Sequence, residues 1–252
     1  MTQPSDESRT LDRMDLIAVP APMPPHERAK ERSRELAALH EEMAACRKCQ
    51  MAGYLAQANP VAGFRGSIGN RMLLVGQAPG RLSALKHEPF SGPGGRVLEM
   101  WLGRAGFAPG ALRHEVYLSA LTRCDPGRNP RGSGDRKPSP SELALCRPYL
   151  LRELDLVRPH AILLVGGMAI AAFLGPARLE EVVGEAFERN GAQLLPLPHP
   201  SGVSRWLNDS EHQALLTRGL DRLSRWRQEW LAEDVAMAPV KTSSTGGTDD
   251  RD

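Results

Sequence analysis

Four short apolar runs constrain the fold of this chain most strongly, because each is long enough for a buried strand and too short for a buried helix. They lie at residues 72–75, 116–120, 161–165 and 194–197. Segments with helical periodicity lie between and around them, at residues 25–45, 95–105, 141–157 and 209–231. This alternation predicts a single-domain, three-layer α/β/α sandwich with a mostly parallel central sheet of about four strands.

The domain is expected to span residues 26–233. Residues 1–25 are rich in proline, serine and acidic residues, and residues 234–252 contain Thr-Ser-Ser-Thr-Gly-Gly, so both are predicted to be disordered tails. Each tail carries four acidic and two basic residues, so the net charge of +2 leaves +6 on the domain, which is compatible with a nucleic-acid partner. No apolar run approaches the about 20 residues of a membrane span. A cytoplasmic monomer is expected.

The last apolar run leads into the most informative motif, His199-Pro200-Ser201-Gly202. A histidine that follows a strand and precedes a rigid proline turn is held at the mouth of a loop. Val203 and Arg205 come next, a small apolar side chain and a cation that suit a wedge into a duplex and a contact to its backbone. The alternative interpretation is a proline-capped strand end with an ordinary core histidine.

A glycine-rich loop follows the first strand, at residues 76–80 (GQAPG). It lacks the Gly-Lys-Ser/Thr of a Walker A loop and does not match GxGxxG. Ten residues after this loop, Phe90 follows a proline and is suited to stack on a planar base. Ligands of parallel sheets bind at the carboxyl ends of the strands, so Gly76, Ala120 and His199 are predicted to lie in one site. A nucleotide-binding α/β protein is an alternative, weakened because Pro79 removes a backbone donor.

The four cysteines of the chain are Cys46, Cys49, Cys124 and Cys146, and the first two form a C-x-x-C pair. In an intracellular chain this set favours four thiolates around Zn²⁺ or around an iron–sulfur cluster. The alternatives are four unrelated buried cysteines and a redox-active C-x-x-C pair. The loop at residues 123–137 is rich in arginine, including Arg128 and Arg131, and is interpreted either as a phosphate-binding loop or as a solvated loop with incidental charge.

The motifs GQAPG, PFSG, VYLSALTRC, CRPYLLREL, LLVGG and HPSG occur in this order. Over roughly residues 40–230 the chain resembles the uracil-DNA glycosylase superfamily, and most closely its iron–sulfur branch, families 4 and 5. The resemblance implies excision of uracil, and of other deaminated bases, from DNA by base flipping at the start of base excision repair. It also implies a [4Fe–4S] cluster on the four cysteines, with zinc as the alternative, and a location with the nucleoid.

The resemblance also implies the roles of individual residues. His199 would stabilise O2 of the leaving uracil, Gln77 would hold the attacking water, and Phe90 would stack on the flipped base. Gly76, Ala78 and Ala120 would read the base edge through their backbone groups. The residues expected to contact DNA are Ser201, Gly202, Val203, Ser204, Arg205, Arg128 and Arg131.

Two positions depart from the family pattern. Gln77 stands where family 4 has a glutamate, and Ala120 stands where it has an asparagine. The run HPSGVSR is similar to the corresponding loop of the mismatch-specific branch. These departures predict weaker reading of the base edge and a broader substrate range. They leave two alternatives open: an inactive superfamily member that binds damaged or uracil-containing DNA, and a zinc-stabilised nucleic-acid module unrelated to base excision.

Overall fold

The computed structural model describes residues 16–22, 29–61, 71–130, 134–201 and 205–237. Its helices and strands alternate along the chain as the sequence predicts. In chain order they are α1 (Ala29–Ala44), α2 (Lys48–Met51), β1 (Met72–Gly76), α3 (Arg81–Lys86), α4 (Pro93–Arg104), α5 (Ala111–His114), β2 (Val116–Ala120), α6 (Pro140–Val157), β3 (Ala161–Val165), α7 (Gly167–Leu174), α8 (Leu179–Val182), β4 (Phe187–Arg189), β5 (Ala192–Leu197) and α9 (Ser210–Met237). Across these ranges, no helix combines the length and the apolar character needed to cross a membrane.

The sheet has the strand order β2-β1-β3-β5-β4. β2, β1, β3 and β5 are parallel, and β4 pairs antiparallel with β5 at the edge. Every residue of β1, β2 and β3 is buried, which requires cover on both faces of the sheet. Helices α6, α7 and α9 pack on the sheet. The predicted α/β class with a mostly parallel sheet is confirmed.

The number of strands differs from the prediction, because the sheet has five strands rather than about four. The missed strand, β4, has only three residues and none of them is fully buried, so it lacks an apolar run. A different signal was present in the sequence. Asn190 and Gly191, both at positive φ (51° and 80°), form the turn into β5, and Asn-Gly is the preferred pair for a tight hairpin.

Residues 16–22 also differ from the prediction of a disordered tail. Ile17 and Val19 are buried, and the Ile17 N–H donates to the Ala172 carbonyl of α7 (3.0 Å). The Asn190 side-chain amide donates to the Val19 carbonyl (2.6 Å). The apolar stretch Leu-Ile-Ala-Val at 16–19 supplies the reason, since it gains by joining the core.

The end of α9 extends into the second predicted tail, which was expected to begin at residue 234. The helix continues to Met237. Near its end, the guanidinium of Arg71 binds the carboxylates of Glu233 (2.5 Å) and Asp234 (2.6 Å). This contact fixes the end of α9 beside the start of β1.

A buried ion pair joins the segment after β2 to α6. The Arg123 guanidinium contacts the Glu153 carboxylate, and these side chains are 1% and 0% exposed. Glu153 also accepts hydrogen bonds from the hydroxyls of Ser119 (2.6 Å) and Tyr117 (3.1 Å). The Tyr117 hydroxyl lies 2.7 Å from Nε2 of His40. Polar groups this deep in the domain are stable only because they are paired with one another.

Replacing Glu153 should therefore destabilise the domain strongly. We expect Glu153→Ala to lower the free energy of unfolding by about 3–5 kcal/mol, because Arg123 would remain buried without its carboxylate. The matched control is Glu42→Ala, which removes a half-exposed ion pair with Arg152 and should cost about 1 kcal/mol or less. Urea unfolding of both variants measures the difference. Equal decreases in the free energy of unfolding of the two variants would show that the buried pair stabilises the domain no more than an exposed one.

Candidate active site

The carboxyl ends of the four parallel strands lie level at one edge of the sheet. Gly76 at the end of β1 pairs with Ala120 at the end of β2, and Val165 at the end of β3 pairs with Leu197 at the end of β5. Each of the predicted motifs begins at this edge. The fold thus brings together the glycine-rich loop, the segment after β2 and the His199 loop.

Phe90 reaches this edge from the loop between α3 and α4. A Cβ atom placed on Gly76 would lie only 3.0 Å from Phe90 Cζ, so the aromatic ring occupies the space that a larger residue would need. The Phe90 carbonyl packs against Gly95, where a Cβ would lie 1.8 Å from the oxygen. Glycine is therefore required at both positions to seat the ring beside the end of β1.

The backbone of Phe90 is held in an unfavourable conformation. Its φ is +53°, which a bulky residue rarely adopts. The Arg113 guanidinium donates to the carbonyls of Pro89 (2.5 Å) and Phe90 (3.3 Å) and pairs with Glu88 (3.6 Å). The Ser91 hydroxyl donates to the Glu88 carbonyl (2.9 Å). These contacts fix the loop, so the ring is positioned in advance of any ligand.

His199 lies two residues beyond β5 and packs on the turn after β3. A Cβ atom on Gly166 would lie 3.1 Å from His199 Cδ2, while Pro200 packs against Gly94 of α4 (3.4 Å from its Cβ position to Pro200 Cγ). The imidazole remains open to solvent on its other side. His199 and Pro200 are thus each seated against a glycine at the site edge.

The protonation of His199 follows from its surroundings. Burial lowers the pKa of His199, and the nearby carboxylate of Asp135 opposes that shift only in part. The Ser201 N–H donates to Nδ1 (3.3 Å). A neutral imidazole whose Nδ1 accepts a hydrogen bond carries its proton on Nε2. His199 therefore offers an Nε2–H donor near neutral pH.

Backbone hydrogen bonds join the end of β1 to the residues that follow β2. The Gly76 carbonyl accepts from the Leu121 N–H (2.9 Å), and the Gln77 carbonyl accepts from the Thr122 N–H (3.3 Å). The Ala120 carbonyl accepts from the Arg123 guanidinium. The carbonyls of Gly76 and Ala120, two of the residues expected to read a base, thus already have one partner each. The Gln77 side-chain amide donates to the Arg136 carbonyl (3.5 Å), and Ala78 is half-buried in the same loop.

The arginine-rich loop after β2 contains a hairpin. Arg128 and Asp135 form a β-bridge, and the Arg136 N–H donates to the Gly127 carbonyl (2.8 Å). Arg136 binds Glu142 through two contacts of 2.7 Å. Arg123 is buried against Glu153, so this arginine of the loop is neither solvated nor available to phosphate. Arg128, one of the two arginines expected to contact DNA, is exposed, and Arg131 lies outside the described residues.

The hairpin brings one residue to the site that the sequence interpretation did not single out. Asp135 Oδ2 would lie 3.1 Å from a Cβ atom on Gly80, so its carboxylate lies on the glycine-rich loop. The carboxylate also interacts with His199. The only signal in the sequence was an acidic residue after Gly134 in a loop that starts at the carboxyl end of a strand.

The rest of the His199 loop is only partly described. Ser201 is half-buried and Arg205 is exposed, whereas Gly202, Val203 and Ser204 lie outside the described residues. Trp206, which the sequence places on this loop, stacks on His212 with ring centroids 4.1 Å apart. Its indole N–H donates to Glu180 (3.0 Å). Trp206 therefore holds the base of the loop.

The four cysteines are close enough to influence one another's ionisation. Cys49 lies on α2, Cys146 on α6, and Cys124 follows β2. Burial, together with the charge of neighbouring thiolates, raises the pKa of Cys49 to about 11 and that of Cys124 to about 12. Burial also raises the pKa of Cys146, against the opposing charge of Arg123. A cluster of thiols that resists ionisation in this way gains from a cation that binds thiolates.

Over the ranges that the structure describes, no three His, Cys, Asp or Glu side chains are arranged to hold a single metal ion. Tyr149 hydrogen-bonds Cys46, and the Lys48 ammonium lies 4.6 Å from the centre of the Tyr149 ring. The Tyr149 hydroxyl and the Lys48 ammonium therefore lie beside the C-x-x-C pair.

Comparison with known proteins identifies the family. The sequence model of the uracil DNA glycosylase superfamily matches residues 64–221. A type-4 uracil-DNA glycosylase of Archaeoglobus fulgidus is 32% identical over 171 residues, which cover 64% of this chain and 79% of that protein. Those of Thermotoga maritima (28% over 168 residues, 66% and 81%) and Pyrobaculum aerophilum (28% over 180 residues, 68% and 85%) are also similar. With its motifs gathered at one sheet edge and a match across most of its length, the chain belongs to the uracil DNA glycosylase superfamily.

Proposed function

We propose that this protein is a DNA glycosylase that hydrolyses the N-glycosidic bond of uracil in DNA and so starts base excision repair. The observation that carries the proposal is the pairing of a fixed aromatic ring, Phe90, with a neutral histidine donor, His199, at the same edge of the sheet. The relatives are named for this activity. They favour an enzyme over a protein that binds uracil-containing DNA without cleaving it.

The base must leave the duplex before it can be cut, because the glycosidic carbon is inaccessible in the base stack. In the proposal the flipped uracil stacks on Phe90, a contact worth about 1–3 kcal/mol. The loop that carries Phe90 already holds the ring in place, so little conformational entropy of this loop is lost when the base binds. Backbone groups of Gly76, Ala78 and Ala120 face the base edge, and the carbonyls of Gly76 and Ala120 would use their second lone pairs.

The chemical step breaks the bond between C1′ of the sugar and N1 of uracil. The bonding electron pair passes to the uracil ring, where negative charge develops at O2 and N1. His199 donates its Nε2–H to O2 and stabilises this charge without transferring a proton. Gln77 holds the water whose oxygen bonds to C1′. A preorganised donor of this kind is worth about 3 kcal/mol.

The proposed DNA contacts lie on the loops around this edge. Val203 enters the gap that the flipped base leaves, and Arg205 contacts the strand beside it. Arg128, exposed on the hairpin, contacts phosphate from the other side. Ser201, Gly202, Ser204 and Arg131 complete the proposed contact surface.

The four cysteines are proposed to hold a [4Fe–4S] cluster, with zinc as the alternative. Four thiolates are the usual ligands of such a cluster. Two observations support the proposal: the similar proteins are named type-4 uracil-DNA glycosylases, and the four thiols lie within electrostatic reach of one another. When bound, the cluster supplies a cross-link between α2, the segment after β2 and α6. Cys46, Cys49, Cys124 and Cys146 would hold it.

Monomeric state, cytoplasmic location and association with the nucleoid remain predictions from the sequence. So does the range of bases beyond uracil. Ala120 stands where family 4 has an asparagine, so one side chain that could read the base edge is missing. This difference supports a broader range of excised bases.

Loss of the histidine donor should slow excision directly. We expect His199→Ala to reduce the rate of uracil release by about 10²–10³-fold, because no other donor replaces Nε2–H at O2. Release is measured in single-turnover assays on a uracil-containing oligonucleotide. The matched control is His160→Ala, which removes a histidine at the opposite edge of the sheet, before β3. A His199→Ala protein as fast as the control would remove His199 from the mechanism.

The composition of the purified protein tests the cluster. Protein prepared without oxygen should be brown and contain about four iron and four sulfide per chain. Cys146→Ala should lose the colour and most of the iron. Met51→Ala, which changes an 85% exposed side chain of α2, should keep both. One zinc per chain with no sulfide would contradict the cluster.

The proposed phosphate contacts predict a change in salt dependence. Arg205→Ala and Arg128→Ala should each reduce the slope of log K against log salt by about 1, because each removes one phosphate contact. Binding to an oligonucleotide is measured by fluorescence anisotropy in a His199→Ala background, in which the expected slow release of uracil leaves time for the measurement. Arg34→Ala, on the exposed side of α1, is the control. Slopes that stay equal to the control would place these arginines outside the interface.

A further inference from the structure

We propose that Asp135 is a further catalytic residue, the carboxylate that accepts the proton of the attacking water. This inference rests on the proposed glycosylase function and assigns the step that Gln77 cannot perform. A side-chain amide orients a water molecule but does not accept its proton. The glycine-rich loop itself contains no acidic residue, since it reads GQAPG. A carboxylate must therefore come from another segment if one takes part.

The hairpin after β2 delivers that carboxylate. Asp135 Oδ2 lies so close to Gly80 that a Cβ atom there would be 3.1 Å away. Gly80 ends the loop that begins with Gly76 and Gln77, so the carboxylate is seated on the loop. The bridge between Arg128 and Asp135 fixes the backbone at this point, with the Asn129 N–H donating to Gly134 (3.0 Å) on the adjacent turn.

Gln77 points at the same hairpin. Its amide nitrogen donates to the carbonyl of Arg136, the residue that follows Asp135 (3.5 Å). Among the described residues nothing donates to Gln77 Oε1, so this oxygen is available to a water. The Gln77 side chain thus contacts the residue next to Asp135 at the site edge. Gln77 offers an acceptor that orients the water, and Asp135 offers a base.

The electrostatic surroundings suit a base. Burial and the neighbouring Asp125 raise the pKa of Asp135, while Arg128 and His199 oppose the rise. A carboxylate with a raised pKa is a stronger base, provided that it remains ionised at the working pH. Asp135 in turn raises the pKa of His199. The carboxylate therefore lies within electrostatic reach of the residue that would stabilise the leaving base.

The proposed step balances in charge and atoms. As the C1′–N1 bond breaks, its electron pair leaves with uracil, and the sugar becomes cationic at C1′. The negative carboxylate of Asp135 stabilises that cation. Water oxygen bonds to C1′, and one water proton passes to Asp135. The products are the uracil anion held by His199, the abasic sugar with a C1′ hydroxyl, and protonated Asp135.

The first test removes the negative charge of Asp135 and keeps the size and shape of its side chain. We expect Asp135→Asn to reduce the single-turnover rate of uracil release by about 10²-fold, with the affinity for the uracil oligonucleotide changed less than threefold. Asp221→Asn, which removes one exposed carboxylate from α9, is the control for charge. Thermal unfolding of both variants shows that they are folded. A full rate in Asp135→Asn, or a loss confined to affinity, would overturn the proposal.

The second test moves the carboxylate. Gln77→Glu places a carboxylate on the glycine-rich loop, so the double variant Gln77→Glu/Asp135→Asn should release uracil at least about tenfold faster than Asp135→Asn alone. A purely structural role of Asp135 would not be rescued from position 77. A double variant no faster than Asp135→Asn contradicts the proposal. Wild-type activity is measured first, so an inactive wild type would count against the glycosylase function itself.

Discussion

The buried ion pair between Arg123 and Glu153 is the interaction on which the site depends. Arg123 follows β2, and its guanidinium binds both Glu153 of α6 and the Ala120 carbonyl at the strand end. The next residue is Cys124, and Cys146 lies on the same helix as Glu153. One ion pair thus holds the proposed uracil-reading strand, the cysteine set and helix α6 in a single arrangement. We infer that the cysteines serve the site by fixing this arrangement.

The positions of the Phe90 and His199 rings depend on neighbouring glycines and, for Phe90, on an unfavourable backbone conformation. Phe90 occupies the space beside Gly76, and its carbonyl occupies the space beside Gly95. The left-handed conformation of Phe90 is maintained by Arg113, which binds two carbonyls of the loop. His199 packs on Gly166 in the same manner. Small residues therefore stand wherever an important ring must approach the backbone, which explains the glycine content of these motifs.

The sequence allowed the parallel strands and their common edge to be predicted, because each strand is a short apolar run and parallel strands end together. It did not reveal β4, whose three residues are too polar for that signal, although Asn190-Gly191 marked the turn. Of the loop at residues 123–137, interpreted either as phosphate-binding or as solvated, Arg123 fits neither interpretation, because the tertiary structure buries it against Glu153. Asp135 was overlooked for the same reason, since a hairpin inside a polar loop carries it to Gly80.

The release of free uracil by the wild-type protein tests the central claim most directly. The wild-type protein, purified without oxygen, is incubated with single-stranded and double-stranded oligonucleotides that carry one uracil, hypoxanthine, xanthine or mismatched thymine. Free base is measured by chromatography, and abasic sites by strand cleavage in alkali. The account predicts uracil release and alkali-labile sites from the uracil substrate. Intact uracil oligonucleotides in both single and double strands, with the protein bound to them, would contradict it.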